Sequence, residues 1–435
     1  MRLIRIINSN DFDVYKKNIC NKTVEESLNA KVNEIIAAVR AEGDAAVRRY
    51  ASRFEKKVPD KFEVPIETAK EALENLKSAE PKLAAALTLA ANNIRRFAEL
   101  QKEQFTSFET EMTPGLFAGQ RVIPIERAAV YVPAGRFPLI SSALMGLVPA
   151  AVAGVTEKIL VSPPGEGGLP DRRILAAACL AGADRVFALG GAQAIAALAL
   201  GTETIPRVDF IAGPGNKYVA AAKRLLFGEV GIDFVAGPTD VLIITDNAES
   251  ADFAAADMLA QAEHDPDARA RVLVPDSGTA ELIEHALEKR LAQLPTAETA
   301  RASLQAGGLI IVYNSKEEAT NIANEIAPEH LELFVSNPEE WISGLHNYGS
   351  LFIGSSAAEV LGDYSAGINH TLPTSGSARF AGGLSVRHFL KSVTSLRCVP
   401  GTGYAEALAA AETIARAEGL AGHAESSALR RALEG

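Results

Sequence analysis

The sequence predicts an α/β protein with two tandem Rossmann-like parallel-sheet domains and helical extensions at both ends. From about residue 121, short apolar runs alternate with Ala-rich helical segments, and the same alternation recurs after about residue 240. Strands that alternate with helices are typical of a parallel sheet with helices on its faces. The length of 435 residues is also too great for one ordinary core, which favours two or three domains.

The first 110 residues have helical patterns and are interpreted as scaffold. Thr23-Val-Glu-Glu26 matches a capping box, and the apolar residues between Leu28 and Val39 follow it with helical spacing. Gly43 is expected to end this helix. Two further helical patterns cover residues 69–77 and 82–104.

Eight apolar runs are predicted to be strands. They are 128–132, 158–161, 185–189 and 208–211 in the first unit, and 241–244, 271–274, 309–312 and 350–353 in the second. Helical stretches at 251–263, 278–294 and 316–325 separate the strands of the second unit. After about residue 384 the chain is predicted to be helical again, and it ends in the polar tail 426–435.

One uncharged segment, 137–155, is long enough to cross a bilayer. It contains Pro138, Gly146, Pro149 and Gly154, so a buried helix that runs into a turn is the preferred interpretation.

Composition excludes several classes of protein. The formal net charge of −11 argues against nucleic acid or an anionic membrane as the main partner. The three cysteines, Cys20, Cys179 and Cys398, have no CxxC spacing, so neither a disulfide framework nor a thiolate metal site is expected. The N-terminal residues lack the apolar core of a signal peptide. A reducing cytoplasm is therefore the expected location.

Two glycine turns in the first unit are candidates for ligand binding. Gly190-Gly-Ala-Gln193 and Gly213-Pro-Gly-Asn216 each follow a predicted strand and open a helix. Ligands of such sheets lie at the carboxyl ends of the strands. Neither turn matches GxGxxG. Taken alone, each is more often an ordinary turn that connects a strand to a helix than a phosphate-binding loop. Polar Gln193 and Asn216 directly after them favour a ligand.

Metal-ligating residue types are concentrated in the C-terminal half, although the chain has only seven histidines. Gln261 and His264 share a helix face, Asp363 follows a glycine, and His423 lies near a helix end. Imidazole, carboxylate and amide oxygen together suit a divalent metal such as zinc. Taken singly, these residues are ordinary helix ends, turn residues and caps, and their spacing does not prove convergence.

The adjacent Glu329 and His330 are candidate proton carriers. They follow Pro328 at a predicted helix-to-strand junction. A carboxylate beside an imidazole offers two basicities, which suits a reaction with more than one proton transfer.

The chain resembles the histidinol dehydrogenase family over nearly its whole length, from about Val32 to His423. The resemblance depends on long motifs in the same order: Gly43-Asp-Ala-Ala-Val-Arg-Arg-Tyr50, Tyr131-Val-Pro-Ala-Gly135, Leu189-Gly-Gly-Ala-Gln193-Ala-Ile-Ala, Gly213-Pro-Gly-Asn216, Gln261-Ala-Glu-His264, Ala327-Pro-Glu-His-Leu331, and Gly362-Asp-Tyr364 followed by Asn369-His-Thr-Leu-Pro-Thr-Ser-Gly-Ser-Ala-Arg-Phe380. It implies zinc- and NAD⁺-dependent oxidation of L-histidinol to L-histidine in two steps, the last step of histidine biosynthesis.

The resemblance also implies roles for individual residues. Glu329 and His330 match the catalytic pair, and the NAD⁺ contacts match Tyr131, Gln193 and Asn216. The zinc ligands match Gln261, His264, Asp363 and His423, of which the last comes from the partner subunit in a domain-swapped homodimer. Besides these ligands and His330, the substrate-binding positions match Thr239, His370 and Glu418.

The same resemblance implies a division into segments. Residues 1–24 are expected to be an N-terminal extension, and 25–130 together with 239–383 the α/β domain that carries the catalytic and metal residues. Residues 131–238 are expected to bind NAD⁺. Residues 384–435 are expected to form a helical domain that reaches the partner subunit.

Several positions depart from the family pattern and leave the alcohol substrate open. They are Thr239-Asp240 in place of Ser-Glu, the stretch Arg136–Ile140, Asn347-Tyr348-Gly349 in place of Asn-Ala-Gly, His388 in place of Asp, and Gly422 in place of Ala. Some resemble the paralogue that oxidises (R)-sulfopropanediol. Pro328–Leu333 and Ser377–Phe380 stay close to the main branch and favour histidinol. A zinc hydrolase, in which Glu329 activates water, is a further alternative, although the glycine turns argue against it.

Overall fold

The computed structural model describes residues 2–17, 23–134, 138–235 and 237–432. Cys20 and Arg136, which the sequence analysis named, lie outside these ranges. The strands of the described chain are β1 (Arg5–Asn8), β2 (Glu63–Val64), β3 (Phe108–Thr113), β4 (Leu116–Pro124), β5 (Arg127–Tyr131), β6 (Glu157–Ser162), β7 (Arg185–Ala188), β8 (Phe210–Ala212), β9 (Gly231–Ile232), β10 (Asp240–Thr245), β11 (Arg269–Val274), β12 (Leu309–Val312), β13 (His330–Phe334), β14 (Ser350–Ile353) and β15 (Leu390–Cys398).

Helices connect these strands and cover the faces of the sheets. They are α1 (Phe12–Lys17), α2 (Thr23–Glu42), α3 (Asp44–Phe54), α4 (Ile66–Ala79), α5 (Pro81–Lys102), α6 (Ile140–Ala153), α7 (Arg172–Ala181), α8 (Gly191–Leu200), α9 (Lys217–Leu226), α10 (Ala251–Ala262), α11 (Ser277–Leu291), α12 (Ala297–Gly307), α13 (Lys316–Ile326), α14 (Glu339–Ile342), α15 (Glu359–Tyr364), α16 (Thr402–Ala417) and α17 (Ala421–Ala432). The three helical patterns predicted in the first 110 residues correspond to α2, α4 and α5.

The first six-stranded sheet has the order β2-β7-β6-β5-β8-β9. All neighbours in it are parallel except β2, which runs antiparallel to β7. The chain builds outward from β5 to β6 and β7 on one side, and then to β8 and β9 on the other. The direction of winding therefore reverses between β5 and β8, and such a reversal opens a crevice at the carboxyl ends of the strands.

The second six-stranded sheet is fully parallel, with the order β1-β12-β11-β10-β13-β14. All eight predicted strands are present, four in each sheet. Two strands of this sheet were not predicted as strands: β1 lies in the segment read as helical, and β13 begins at His330, where only a junction was expected. The prediction of two parallel-sheet α/β units is confirmed.

A third sheet was not predicted. Its order is β15-β4-β3, and all pairs are antiparallel. Every residue of β3 is exposed, as are all but the first residue of β15. The expectation that the chain is purely helical after residue 384 is therefore wrong for 390–398. The pattern was missed because neither face of this ribbon is buried, so the apolar alternation that marks a strand is absent.

The packing also differs from the expected division into segments. Helices α2 to α5 contribute residues such as Val32, Val39 and Ile94 to the cores on the two faces of the first sheet, not to those of the second. The helices α2 to α5 thus pack with the first sheet, whereas β3 and β4 pair with β15. The second sheet instead recruits β1 from the N-terminal segment.

The uncharged segment 137–155 contains α6, a 14-residue helix buried against α5 and α7. The interpretation as a buried helix is confirmed for its described part. No helix in the described ranges is long and apolar enough to cross a membrane.

Candidate functional site

Four of the residues singled out in the sequence meet at the amino ends of β10 and β13. Gln261 lies in the last turn of α10. Its Oε1 is 3.1 Å from His264 Nδ1, and its Nε2 is 3.3 Å from His330 Nδ1. On the other side of the imidazole, His330 Nε2 lies 3.6 Å from Asp363 Oδ1. Residues separated by about 100 positions therefore form one polar cluster, a convergence that spacing alone did not establish.

His330 is buried because it is the first residue of a central strand. It lies beside Val241 of β10 and Ser350 of β14, and its ring packs against Phe352 at 5.9 Å between centroids. Burial lowers the pKa of His330, but the carboxylates of Glu359, Glu329 and Asp363 outweigh that effect and raise it well above the usual value. These carboxylates therefore favour the protonated form of His330, whereas the proton-transfer argument starts from the neutral imidazole.

Glu329 is held by groups from the start of β10. Its Oε2 accepts hydrogen bonds from the Thr239 hydroxyl and, at 3.1 Å, from the Asp240 backbone N–H. In return, the Glu329 backbone N–H donates to Asp240 Oδ1 at 2.6 Å. Burial raises the pKa of Glu329 to about 7, against the opposing effects of the His330 charge and the Thr239 hydrogen bond. A carboxylate with this pKa can take up or release a proton near pH 7.

The departures at Thr239 and Asp240 thus have a structural role. Thr239 keeps the hydroxyl that a serine would offer, and it lies where the resemblance placed a substrate-binding residue. Asp240 is buried, and burial raises its pKa. Its side chain accepts the hydrogen bond from the Glu329 backbone N–H and so fixes the backbone at the start of β13.

The sequence analysis missed a group of buried acids behind His330. Glu359 Oε1 lies 3.6 Å from His330 Nδ1, and the Glu359 backbone N–H donates to Glu332 Oε1 at 3.1 Å. Burial raises the pKa of Glu359 to about 8, that of Asp257 to about 6, and that of Glu332 well above its usual value. The positions of Glu359 and Glu332 in the sequence could have indicated that they lie near the site. Glu359 is four residues before Asp363 on a short helix, and Glu332 shares a strand face with His330.

His330, Glu359 and Asp363 also form a cluster whose donor atoms all lie within 4.8 Å of one another. However, the nearest contact of Glu359 is to Nδ1 of the imidazole and that of Asp363 is to Nε2. An imidazole binds a metal through one nitrogen, so this arrangement is better explained as an imidazolium between two carboxylates. The Gln261, His264 and Asp363 side chains suit a divalent metal better by their chemistry, because they offer amide, imidazole and carboxylate donors.

Other expected site residues are placed differently. His370 lies near this cluster, since Asp363, His330 and His264 all influence its pKa, which burial lowers; its buried Nε2 has no hydrogen-bond partner among the described residues. Glu418 and His423 are exposed on the C-terminal pair α16 and α17. No contact in the described part of the chain joins them to Asp363. His388 accepts a hydrogen bond from the Ser385 N–H and so caps a short helical turn.

The candidate cofactor residues gather at the reversal point of the first sheet. Tyr131 ends β5, and its hydroxyl oxygen accepts from the Gly191 N–H at 3.2 Å. Gln193 is buried in the first turn of α8. Asn216 caps α9, because its Oδ1 accepts from the N–H groups of Tyr218 and Val219.

A buried ion pair shapes the second glycine turn. Lys223 and Asp233 form a salt bridge with side chains 2% and 0% exposed. Lys223 Nζ also donates to the Gly213 carbonyl at 3.0 Å, and Asp233 Oδ2 accepts from the Gly213 N–H at 2.8 Å. Gly213 has φ of 111°, and a Cβ there would lie 2.1 Å from the Tyr131 carbonyl oxygen. Only glycine fits this turn.

The cofactor candidates and the catalytic candidates lie at opposite ends of the strands of their sheets. The cofactor candidates follow the carboxyl ends of β5, β7 and β8, whereas the catalytic candidates lie at the amino ends of β10 and β13. In chain order β10 is the next strand after β9. A cavity of about 190 Å³ lies nearby, lined by Ile94, Phe97 and Asn369 among others. Its lining includes none of the catalytic candidates, whereas the titratable groups described above meet at His330.

Comparison with known proteins gives one consistent result. A family model described as histidinol dehydrogenase matches residues 20–431. A histidinol dehydrogenase of Thermus thermophilus is 48% identical over 409 residues, 94% of this chain and 95% of that protein. One of Methylococcus capsulatus is 44% identical over 411 residues, covering 94% and 93%.

A solved structure agrees. The crystal structure of histidinol dehydrogenase from Elizabethkingia anophelis matches with a TM-score of 0.92 and 34% sequence identity, over 100% of both chains.

Proposed function

This chain belongs to the histidinol dehydrogenase family, and we propose that it oxidises L-histidinol to L-histidine with two NAD⁺, by way of bound L-histidinal. The observation that carries the proposal is the position of His330, which contacts Gln261 and Asp363 and lies 4.0 Å from Glu329, because it joins two proton carriers to a metal-type donor set. The names of the relatives favour histidinol over a sulfonated propanediol, and dehydrogenation over hydrolysis.

The chemistry requires two proton acceptors in succession. In the first step the alcohol loses a hydroxyl proton and a hydride, which gives the aldehyde, NADH and a proton. Water then adds to the aldehyde, and the resulting gem-diol loses a second hydride and proton to give the acid and a second NADH. His330 serves the alcohol step and Glu329 the hydration of the aldehyde, because a carboxylate with a pKa of about 7 can deprotonate water that it orients.

The residues present fit the two cofactors of this reaction. Zinc would be held by Gln261, His264 and Asp363, with His423 supplied by a second copy of the chain. A cation there would hold the substrate, act as a Lewis acid and offset the Asp363 charge that keeps a proton on His330. NAD⁺ would lie at Tyr131, Gln193 and Asn216 and accept the hydrides. Thr239, His370 and, from the second copy, Glu418 complete the substrate site.

A homodimer with a shared site is supported by surface features of the C-terminal region. The ribbon β3-β4-β15 exposes Phe108, Met112 and Leu396, and the helical pair beyond it exposes Ile414 and Leu429. Exposed apolar groups on an extended arm are typical of a surface that another chain covers. This region also carries His423, which makes no contact with Gln261, His264 or Asp363 among the described residues.

The stoichiometry of reduced cofactor tests the proposed function. Purified protein given L-histidinol and excess NAD⁺ is expected to form two NADH per substrate consumed, measured by absorbance together with quantified L-histidine. The matched substrate is (R)-sulfopropanediol at the same concentration. If L-histidinol gives no NADH while the sulfonated diol does, the proposed substrate is wrong.

Metal content tests the ligand set and the second copy together. Purified wild type is expected to contain one zinc per chain, and His264→Ala is expected to lose it, because one of few neutral nitrogen ligands is removed. His285→Asn, an exposed histidine of α11, is the control and should keep the metal. Full activity after exhaustive chelation would contradict this ligand set.

The share of the partner is measured by mixing inactive variants. Refolding His330→Ala with His423→Ala should restore part of the activity, since one of the two composite sites in each heterodimer is then intact. Confirmed heterodimers without activity would mean that each chain builds its own site.

A further inference from the structure

The glycine turn before α8 contacts a half-buried carboxylate from a distant part of the chain. Glu55 directly follows α3, and its Oε1 accepts hydrogen bonds from the Gly190 N–H at 2.8 Å and from Gln193 Nε2 at 3.4 Å. It reaches the turn from a helix more than 130 residues earlier in the chain. A carboxylate is therefore placed at the N-terminus of α8.

This placement changes what the turn can bind. The first free N–H groups of a helix usually attract phosphate. Here the Gly190 N–H already donates to Glu55, and the Gly191 N–H donates to the Tyr131 hydroxyl. An incoming phosphate would find these donors occupied and would meet a negative charge. The turn is thus unsuited to phosphate and suited to a neutral group.

The atoms that remain unpaired indicate the kind of neutral group. Glu55 Oε2 and Gln193 Oε1 are both buried, and neither has a hydrogen-bond partner in the described residues. Gln193 is only 1% exposed, so water reaches it poorly. Both atoms are acceptors, and buried acceptors without donors are costly. A ligand that completes this site must bring at least two donors close together, as the vicinal hydroxyls of a ribose do.

We propose that Glu55 and Gln193 bind the 2′- and 3′-hydroxyls of the adenosine ribose, and that Glu55 thereby selects NAD⁺ against NADP⁺. This proposal rests on the proposed function. A 2′-phosphate would replace one donor with a dianion beside the Glu55 carboxylate. The phosphate and the carboxylate would repel each other, and the buried surroundings would screen their charges poorly. Glu55 is in this sense a specificity-determining residue.

The protonation behaviour of Glu55 is consistent with this role. Burial raises its pKa to about 7, against the hydrogen bonds from Gly190 and Gln193. Two hydroxyl donors from a ribose would favour the charged form. Glu55→Gln is expected to fold, because it keeps the shape of the side chain and an acceptor for the Gly190 N–H, but it replaces Oε2 with a donor.

Calorimetry measures the selectivity without relying on turnover. The probes are NAD⁺, NADP⁺ and an NAD⁺ analogue that lacks the 2′-hydroxyl of the adenosine ribose. Wild type is expected to bind NAD⁺ about 10- to 100-fold tighter than either of the other two, the range for a hydrogen bond to a charged group. Glu55→Gln should weaken NAD⁺ binding by a similar factor, bind NADP⁺ more tightly than wild type, and raise KM for NAD⁺ with little change in kcat.

Two further variants make the test decisive. Glu63→Gln removes a carboxylate on β2 that pairs with Arg185 away from the turn, and it should keep wild-type selectivity. Gln193→Met keeps the volume but removes Oε1, and it should weaken NAD⁺ while retaining the preference over NADP⁺. If Glu55→Gln keeps the wild-type ratio of NAD⁺ to NADP⁺ affinity, or if wild type binds both equally, the role of Glu55 is overturned. If wild type binds neither dinucleotide, the proposed NAD⁺-dependent function itself fails.

Discussion

Replacing His330 with Asn is expected to lower the rate of alcohol oxidation by about 10²–10⁴-fold, the usual effect of removing a positioned proton carrier. The imidazole is buried, its Nε2 has no hydrogen-bond partner among the described residues, and three carboxylates keep it strongly basic. Asn offers amide groups of similar reach but cannot accept the alcohol proton. The rate is measured as NADH formed from L-histidinol in the first turnover.

Glu329→Gln is expected to have the complementary effect on the same enzyme. It should oxidise supplied L-histidinal very poorly, because only that half-reaction consumes water, yet still form some NADH from L-histidinol. The wild-type rate of aldehyde oxidation should rise with pH through about 7, since the carboxylate is the active form and burial raises its pKa to that value. Glu329→Gln should lose this rise.

Two exposed residues of α11 provide matched controls for this pair of variants. His285→Asn and Glu288→Gln make the same chemical changes far from the site, and they should leave both half-reactions unchanged. If His330→Asn and Glu329→Gln lose both half-reactions to the same extent, the division of labour between them is wrong.

Asp233→Asn is expected to lower the free energy of unfolding by about 3–5 kcal/mol, the usual cost of leaving one member of a buried ion pair unpaired. The change strands Lys223, whose side chain is 2% exposed, and it weakens the acceptor of the Gly213 N–H. NAD⁺ affinity should fall as well, because the Gly213–Asn216 turn loses its support. Urea unfolding and dinucleotide binding measure the two effects.

The control for this variant is an exposed ion pair in the same half of the chain. Arg40 and Glu229 also form a salt bridge, but their side chains are 52% and 46% exposed. Glu229→Gln should therefore change the free energy of unfolding by at most about 1 kcal/mol. An equal loss of stability in the two variants would show that burial of the Lys223–Asp233 pair is not what makes it important.

The sequence by itself determined the parts of this protein that depend on local order. Apolar runs such as Val241–Ile244 are strands because they are buried on both faces of a parallel sheet, so their hydrophobicity is continuous. Glycines at 191 and 213 mark turns because both have a positive φ, a conformation that favours glycine. The motifs around Gln261, Glu329 and Asp363 identified the family, and with it the set of candidate site residues.

Only the tertiary structure decided how distant segments meet. Glu55 reaches Gly190, Glu359 reaches His330, and α2 to α5 cover the first sheet, although no local pattern indicates these partners. The exposed strand β15 was not predicted for a related reason. It is held in place by pairing with β4 and not by burial of its own side chains. Contacts between distant residues arise from packing of whole layers, and a one-dimensional pattern records only the burial that each segment undergoes.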